Sequence, residues 1–419
     1  MPLRKIVLEN YRCFRDRQEV ELAPVTVVLG KNNSGKSVLT RAPLVIATGF
    51  GTTSTAPLDL DRLVPQPVDG FPDLIFEQSP HGKFSLGFTV DGPSPFEMAA
   101  TIRYVDEDRR AYVSSLHLAS QGDTIDFDLL PTIETTEHGV VYEISSKVHP
   151  RTVTRPVVFN GLLPRVEDVA ELWPFGDRRI SFGPIRFLSA YRDRPERQHR
   201  LPLGTPRAVG EQGQGTSGIL AHDQARGDGE LLGRVNERLA VIVPGWRIEE
   251  IEAGPLWSTV LTRKGSGVRV NLADAGTGLS QILPILVQCA LDERRDTQSA
   301  PALQIIEEPE MHLHPGAHAE LADLYLNTAQ ATDTQFLIET HSETLLLRLR
   351  RRIAEQKYPA DMLAVYVVEQ ADGVSVIRRV GVNELGDLGD EWPEGYFSQD
   401  YHEVRALASA QLNRSGYAS

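Results

Sequence analysis

The run Val25-Thr26-Val27-Val28-Leu29 is continuously apolar and β-branched, and it feeds directly into Gly30, Lys31, Asn32, Asn33, Ser34, Gly35, Lys36 and Ser37. A strand without polar alternation is covered on both faces, and helical spacing begins near Lys36. A buried strand that turns through glycines into a helix calls for a layered α/β core. The G-x-x-x-x-G-K-[ST] spacing has a physical purpose. Its glycines let successive backbone N–H groups converge on an anion, and the helix N-terminus adds partial positive charge. In such a loop Lys36 reaches the outer phosphates of a nucleotide and the Ser37 hydroxyl takes Mg²⁺. The competing explanation is a chance glycine turn with an exposed lysine, and the strand before it and the helix after it argue against that.

The closing third alternates strand-like and helix-like segments, the pattern of a parallel sheet with crossover helices. There the apolar run Leu303 to Ile306 ends in Glu307 and Glu308. A nucleotide site needs one carboxylate to hold hydrated Mg²⁺ and another to orient or deprotonate the attacking water. Glu307 suits the first task and Glu308 the second. Paired glutamates alone are usually a solvated strand end; the phosphate loop reverses that reading. His312 and His314 follow without a zinc-site spacing and read as loop structure. A second apolar run, Gln335 to Ile338, leads through Glu339 and Thr340 to His341 and Ser342. His341 at that strand end is expected to hydrogen-bond the terminal phosphate or the attacking water; the alternative is a helix cap by Thr340 or Ser342 with an incidental histidine. The turn Asp274 to Gln281, with Gly276, Gly278 and Ser280, offers a second anion-binding nest. One nucleotide needs only one such nest, so a dimer with shared sites is expected.

Charge narrows the function classes. Acidic residues number 57 against 43 Lys plus Arg, a net charge of −14, so a protein that coats nucleic acid with its whole face is disfavoured. Two arginine clusters are local exceptions: Arg186, Arg192, Arg194, Arg197 and Arg200, and Arg348, Arg350, Arg351 and Arg352. Either is a phosphate-contacting patch or a solvated face paired with acidic neighbours. Cys13 and Cys289 alone exclude a disulfide framework and fit a reducing compartment. The N-terminus carries charges where a signal peptide needs an apolar core, and the run Leu279 to Leu291 is too short to span a bilayer. A cytoplasmic protein with no membrane contact is expected. Between 52 and 160 short strand-like runs separated by Gly, Pro and Asp read as an antiparallel lobe inserted into the first domain.

Together these residues resemble the ABC-type ATPases of the SMC, RecF and overcoming-lysogenization-defect group, often described as AAA-family ATPases of bacterial defence loci. IVLENYRCF with PVTVVLGKNNSGKS is similar to the start of those proteins, DAGTGLSQILPIL to their signature segment, IIEEPEMHLHP to their Walker B segment and IETHSETLLLRLRR to their switch-histidine segment. The closing WPEGYFSQDYHEV resembles a short domain of unknown function that ends one branch of the group. The resemblance implies an α/β P-loop ATPase head of ABC/SMC type, with a mostly parallel sheet core, spanning 1–51 and 161–380. The inserted β-rich lobe would span 52–160 and a C-terminal extension 381–419. It implies ATP and Mg²⁺ as ligands, with Lys36 and Ser37 on phosphate and metal, Glu307 holding Mg²⁺ through water, Glu308 as base and His341 sensing the γ-phosphate. It also implies a homodimer that sandwiches ATP between Gly30 to Ser37 of one subunit and Gly276 to Ser280 of the other. Such a switch would serve a separate effector such as a nuclease or toxin in anti-phage defence, or, in the competing reading, DNA in RecF-like repair. Departures are the lack of a long heptad pattern, an altered LSGGQ-like order, and a stretch after His341 too short for the acidic nuclease domain of lysogenization-defect proteins. Gln198, Gln212 and Gln214 are equal candidates for a Q-loop glutamine.

Overall fold

The computed structural model describes residues 2–63, 68–92, 95–176, 183–205, 207–294, 302–393, 405–407 and 409–411. Most of the closing WPEGYFSQDYHEV segment lies outside them.

The apolar runs form the middle of a six-stranded sheet. Its order is Ile185–Leu188, Leu303–Glu307, Gln335–Glu339, Val25–Gly30, Leu363–Ala371, Val374–Val380. The first five strands run parallel and the last pairs antiparallel. Every residue of Val25–Gly30, Leu303–Glu307 and Gln335–Glu339 is buried, as strands covered on both faces require. Successive side chains point to opposite faces, and the packing follows that alternation. Val28, Ile305, Leu337 and Tyr366 join one core with helix α1 (Lys36–Thr48). Val27, Ile306, Ile338 and Val365 join a second core on the other face. That core is shared with α2 (Thr216–Arg226), α3 (Glu230–Ile242), α4 (Thr277–Glu293), α5 (Pro315–Thr332) and α6 (Glu343–Ala354).

A nine-stranded antiparallel sheet shares the α1-side core. Its strands Lys83–Val90, Phe96–Val105, Arg110–Ser120, Asp123–Leu129, Gly139–Ser146 and His149–Val157 come from the β-rich stretch. Lys83–Val90 pairs with Leu3–Glu9, which also pairs with Gln18–Glu21. The lobe is thus continuous, through backbone hydrogen bonds, with the first strands of the chain. A smaller antiparallel sheet, Trp246–Ala253, Leu256–Arg263, Arg269–Asn271 and His199–Arg200, lies against α2 and α3. No helix among the described residues is long and apolar enough to cross a membrane.

Candidate nucleotide site

The strand Val25–Gly30 delivers the phosphate loop to one edge of the parallel sheet, and α1 begins at Lys36. Asn33 has φ 63° and Gly35 φ 105°, left-handed values that curl the backbone into a cup. A Cβ on Gly30 would meet Ser34 Oγ and the Val368 carbonyl at 2.5 Å, and one on Gly35 would meet Cys13 Sγ at 2.6 Å. Neither position accepts a side chain without movement. The N-cap of α1 is Gly35 and no side chain caps it, so the first N–H groups of the helix are left for an anion. Lys31, Asn32 and Asn33 are exposed, whereas Ser34 and Lys36 are buried. Ser34 Oγ has no hydrogen-bond partner. Lys36 Nζ donates to the Lys31 carbonyl at 2.9 Å, which uses one of its three protons. Burial lowers the Lys36 pKa while Glu339 and Glu308 oppose that shift. An orphaned buried hydroxyl, spare ammonium protons and uncapped amides form a donor set that fits a polyphosphate.

The carboxylates come from the adjacent strand Gln335–Glu339 and from Leu303–Glu307, one strand further out. In the parallel register Glu307 lies opposite Glu339, and Glu339 opposite Val28. Both acids therefore point to the face that α1 covers. On α1, Ser37, Thr40 and Arg41 share one side through i, i+3 and i+4 spacing. Ser37 Oγ donates to Glu339 Oε1 at 2.9 Å and Thr40 Oγ1 to Glu339 Oε2 at 3.3 Å. Arg41 donates through Nε to Glu307 Oε1 at 2.5 Å and through Nη2 to Glu307 Oε2 at 2.7 Å, with its guanidinium over the Phe187 ring. The carboxylate next to Ser37 is thus Glu339, while both oxygens of Glu307 are held by Arg41. Burial, reinforced by the neighbouring Glu307 charge, pushes the Glu339 carboxyl up to about 7.

Glu308 follows at φ 41°, a costly conformation for a residue with a side chain and one that clusters at functional sites. Its N–H donates to the Glu339 carbonyl at 2.8 Å, which fixes the turn. Glu308 is half-buried, and its charge acts on both Lys36 and His341. The His341 N–H donates to Glu310 Oε1 at 2.7 Å. His341 is exposed, yet loss of water on its protein side, and then the Lys36 ammonium, hold its pKa below the usual histidine value. Ser342 caps α6, accepting from Leu345 N–H. His314 caps α5, accepting from Gly316 N–H.

The glycine turn at the start of α4 packs on the same region. A Cβ on Gly278 would lie 2.6 Å from the His312 carbonyl. Gly276 and Thr277 are exposed, but Ser280 is buried and donates to the Thr277 carbonyl at 2.7 Å. Of the expected anion-binding group, Ser280 therefore has its hydroxyl turned inward. Gln214 donates to Asp193 and Gln212 within its own loop.

Several arginines of both clusters are paired within the molecule, some of them at its surface. Arg192 is buried and donates to the Glu307 carbonyl at 3.0 Å; Arg197 forks onto Asp274. Arg348 and Arg352 share Asp323, Arg350 donates to the Gly386 carbonyl, and Arg351 pairs with Glu355.

Glu339 and Arg41 did not stand out in the sequence reading. The available signals were a carboxylate ending an apolar strand, as Glu307 does, and an arginine one helical turn beyond Ser37.

Residues 25–348, more than half of the chain, match the family described as "AAA domain, putative AbiEii toxin, Type IV TA system", and residues 1–47 match the family described as "AAA ATPase domain". No curated protein matches the chain. Solved structures similar to it include an Smc head bound to the C-winged helix domain of ScpA, 14% identical over 91% of this chain and 98% of that one, TM-score 0.49. Another is the SMC head domain from Thermotoga maritima, 14% identical over 91% of this chain and 100% of that one, TM-score 0.43. A third is an Smc head with an extended coiled coil bound to the C-terminal domain of ScpA derived from Pyrococcus furiosus, 12% identical over 96% and 99%, TM-score 0.47.

Proposed function

This chain belongs to the family described as "AAA domain, putative AbiEii toxin, Type IV TA system", and from that premise we propose that it binds ATP with Mg²⁺ and hydrolyses it as a dimerisation switch. The observation that carries this reading is the convergence of a phosphate cradle, Gly30 to Ser37, with acidic side chains at the ends of nearby parallel strands.

In this reading the loop amides, Ser34 and Lys36 hold the phosphates, and Ser37 with a nearby carboxylate holds the metal. Mg²⁺ supplies positive charge that offsets the charge building on the transferring phosphoryl group. Glu308 positions a water for attack on the γ-phosphorus and takes its proton, while the bond from that phosphorus to the ADP oxygen breaks. Lys36 offsets the negative charge left on that oxygen. His341, held neutral near pH 7 by its lowered pKa, donates a hydrogen bond to the terminal phosphate.

Dimerisation is supported by the start of α4, whose N-cap Gly276 is exposed and carries no side-chain cap. Its N–H groups, with Thr277 beside them, would face the nucleotide of the partner subunit. The head would span 1–51 and 161–380 and carry the nucleotide. The lobe of 52–160 would receive a separate effector, and 381–419 would form an extension. The family description supports a two-component defence or toxin–antitoxin setting. The RecF-like alternative loses support from the pairing of Arg348 and Arg352 with Asp323 on the neighbouring helix.

Calorimetry with a non-hydrolysable ATP analogue tests the site. Lys36→Ala should weaken binding at least tenfold, and an unchanged affinity would remove the loop from the proposal. Light scattering with and without ATP and Mg²⁺ tests the switch, which fails if the mass stays monomeric. Duplex DNA titrated at several salt concentrations tests the alternative, for which a steep salt slope is required.

A further inference from the structure

We propose that Glu339, rather than Glu307, is the carboxylate that shares the Mg²⁺ shell with Ser37, and that Glu307 anchors α1 to the sheet. This inference rests on the ATPase reading above and assigns one role within it.

Strand order is the first support. Gln335–Glu339 is the immediate neighbour of Val25–Gly30, and Leu303–Glu307 is one strand further out. Neighbouring strands are about 4.8 Å apart, so the Glu307 backbone starts roughly that much farther from the phosphate loop. The second support is hydrogen bonding. The hydroxyl expected to touch the metal, Ser37 Oγ, donates to Glu339 Oε1 at 2.9 Å. A hydroxyl that ligates a cation through its oxygen has a proton to place, and Glu339 already accepts it. The remaining oxygen, Oε2, receives only the 3.3 Å bond from Thr40, which leaves lone pairs for metal-bound water. Mg²⁺ keeps several waters and is held through one or two carboxylates, so an acceptor poised one water away fits its chemistry.

Magnitudes decide against Glu307. Both of its oxygens sit in the Arg41 fork, and its side chain is 4% exposed. Turning that carboxylate to the metal would break a bidentate, charge-assisted pair whose anion is already out of water. Releasing the Thr40 bond from Glu339 breaks only one long contact from a neutral hydroxyl, the weaker of the two interactions. Arg41 over Phe187 ties α1 to the outer strands, a task for which a fixed ion pair is suited and a mobile ligand is not.

The test measures binding of a non-hydrolysable ATP analogue by calorimetry in EDTA and in Mn²⁺, with bound Mn²⁺ followed by electron paramagnetic resonance. Wild type should bind the analogue in EDTA and tighten in Mn²⁺. Glu339→Gln should keep the EDTA affinity, which also reports an intact fold, and lose at least tenfold of the Mn²⁺ gain. Glu339→Asp, which keeps the buried anion but shortens its reach, should lose part of it. Glu307→Gln should keep the gain. Full Mn²⁺ tightening in Glu339→Gln, or its loss in Glu307→Gln with EDTA affinity intact, overturns the assignment alone. A wild type that binds no analogue under either condition removes the ATPase reading and this inference with it.

Discussion

Arg41 and Glu307 are joined by two hydrogen bonds of 2.5 and 2.7 Å between α1 and the end of a buried strand. The carboxylate is buried, whereas the guanidinium is one-third exposed. Removing the arginine therefore leaves an anion in the interior without compensation. Arg41→Ala should cost about 3 kcal/mol in a denaturant melt, and adding Glu307→Gln should recover part of that loss. Equal stabilities for wild type and the single variant would show that water screens the pair completely.

Glu308 sits at φ 41° on the turn after the Leu303–Glu307 strand, with its N–H bonded to the Glu339 carbonyl. That backbone is held by its neighbours, so changing the carboxylate to an amide leaves the geometry in place and removes the proton acceptor. Glu308→Gln should lower steady-state ATP hydrolysis by about 10²- to 10⁴-fold while retaining ATP affinity, and the ATP-bound dimer should accumulate in light scattering. Turnover equal to wild type would assign the base elsewhere.

The central strands were legible because Val25–Gly30, Leu303–Glu307 and Gln335–Glu339 are short, mostly apolar runs without regular polar alternation, as a sheet covered on both faces accommodates. The phosphate loop was legible for a local reason: its conformation depends on glycines a few residues apart. What local pattern does not carry is lateral order. Alternation in Lys83–Val90 announces a strand, but its pairing with Leu3–Glu9 joins segments far apart in sequence. Glu339 and Glu307 read alike as acids at strand ends, and only the sheet order gives Glu339 to Ser37 and leaves Glu307 to Arg41. The run LRLRRR has the look of a basic patch, yet Asp323 on α5 takes Arg348 and Arg352. A charge run shows its own residues and not the helix packed beside it.

Gly278 packs the start of α4 onto the turn that follows Glu308, where an added Cβ would approach the His312 carbonyl to 2.6 Å. Alanine is the better helix former by up to about 1 kcal/mol, but the contact is with backbone and overpacking costs about 1–3 kcal/mol. The clash with backbone outweighs the gain in helix propensity, by up to about 2 kcal/mol. Gly278→Ala should lower the melting temperature modestly and lower turnover several-fold by displacing that turn. Wild-type turnover in a well-folded variant would separate α4 from the hydrolytic site.

The smaller antiparallel sheet buries a different acid. Glu250 is 4% exposed, accepts from Thr259 Oγ1 at 2.7 Å, and lies 3.6 Å from the His199 ring. Burial pushes its carboxyl up to about 8, against a smaller lowering by Thr259, and burial pushes His199 down. A carboxyl whose folded pKa is raised keeps its proton in the native state after the unfolded chain has lost it. Glu250 therefore has no effect on stability below about pH 4.5, costs progressively more as pH rises from there, and reaches its full penalty above about pH 8. Glu250→Gln is neutral at every pH and keeps an oxygen for Thr259. It should match wild type at pH 4 and exceed it by about 2–4 kcal/mol at pH 8, measured by urea melts across that range. Parallel stability curves for the two proteins would mean that Glu250 ionises normally in the fold, through water or through a charged His199.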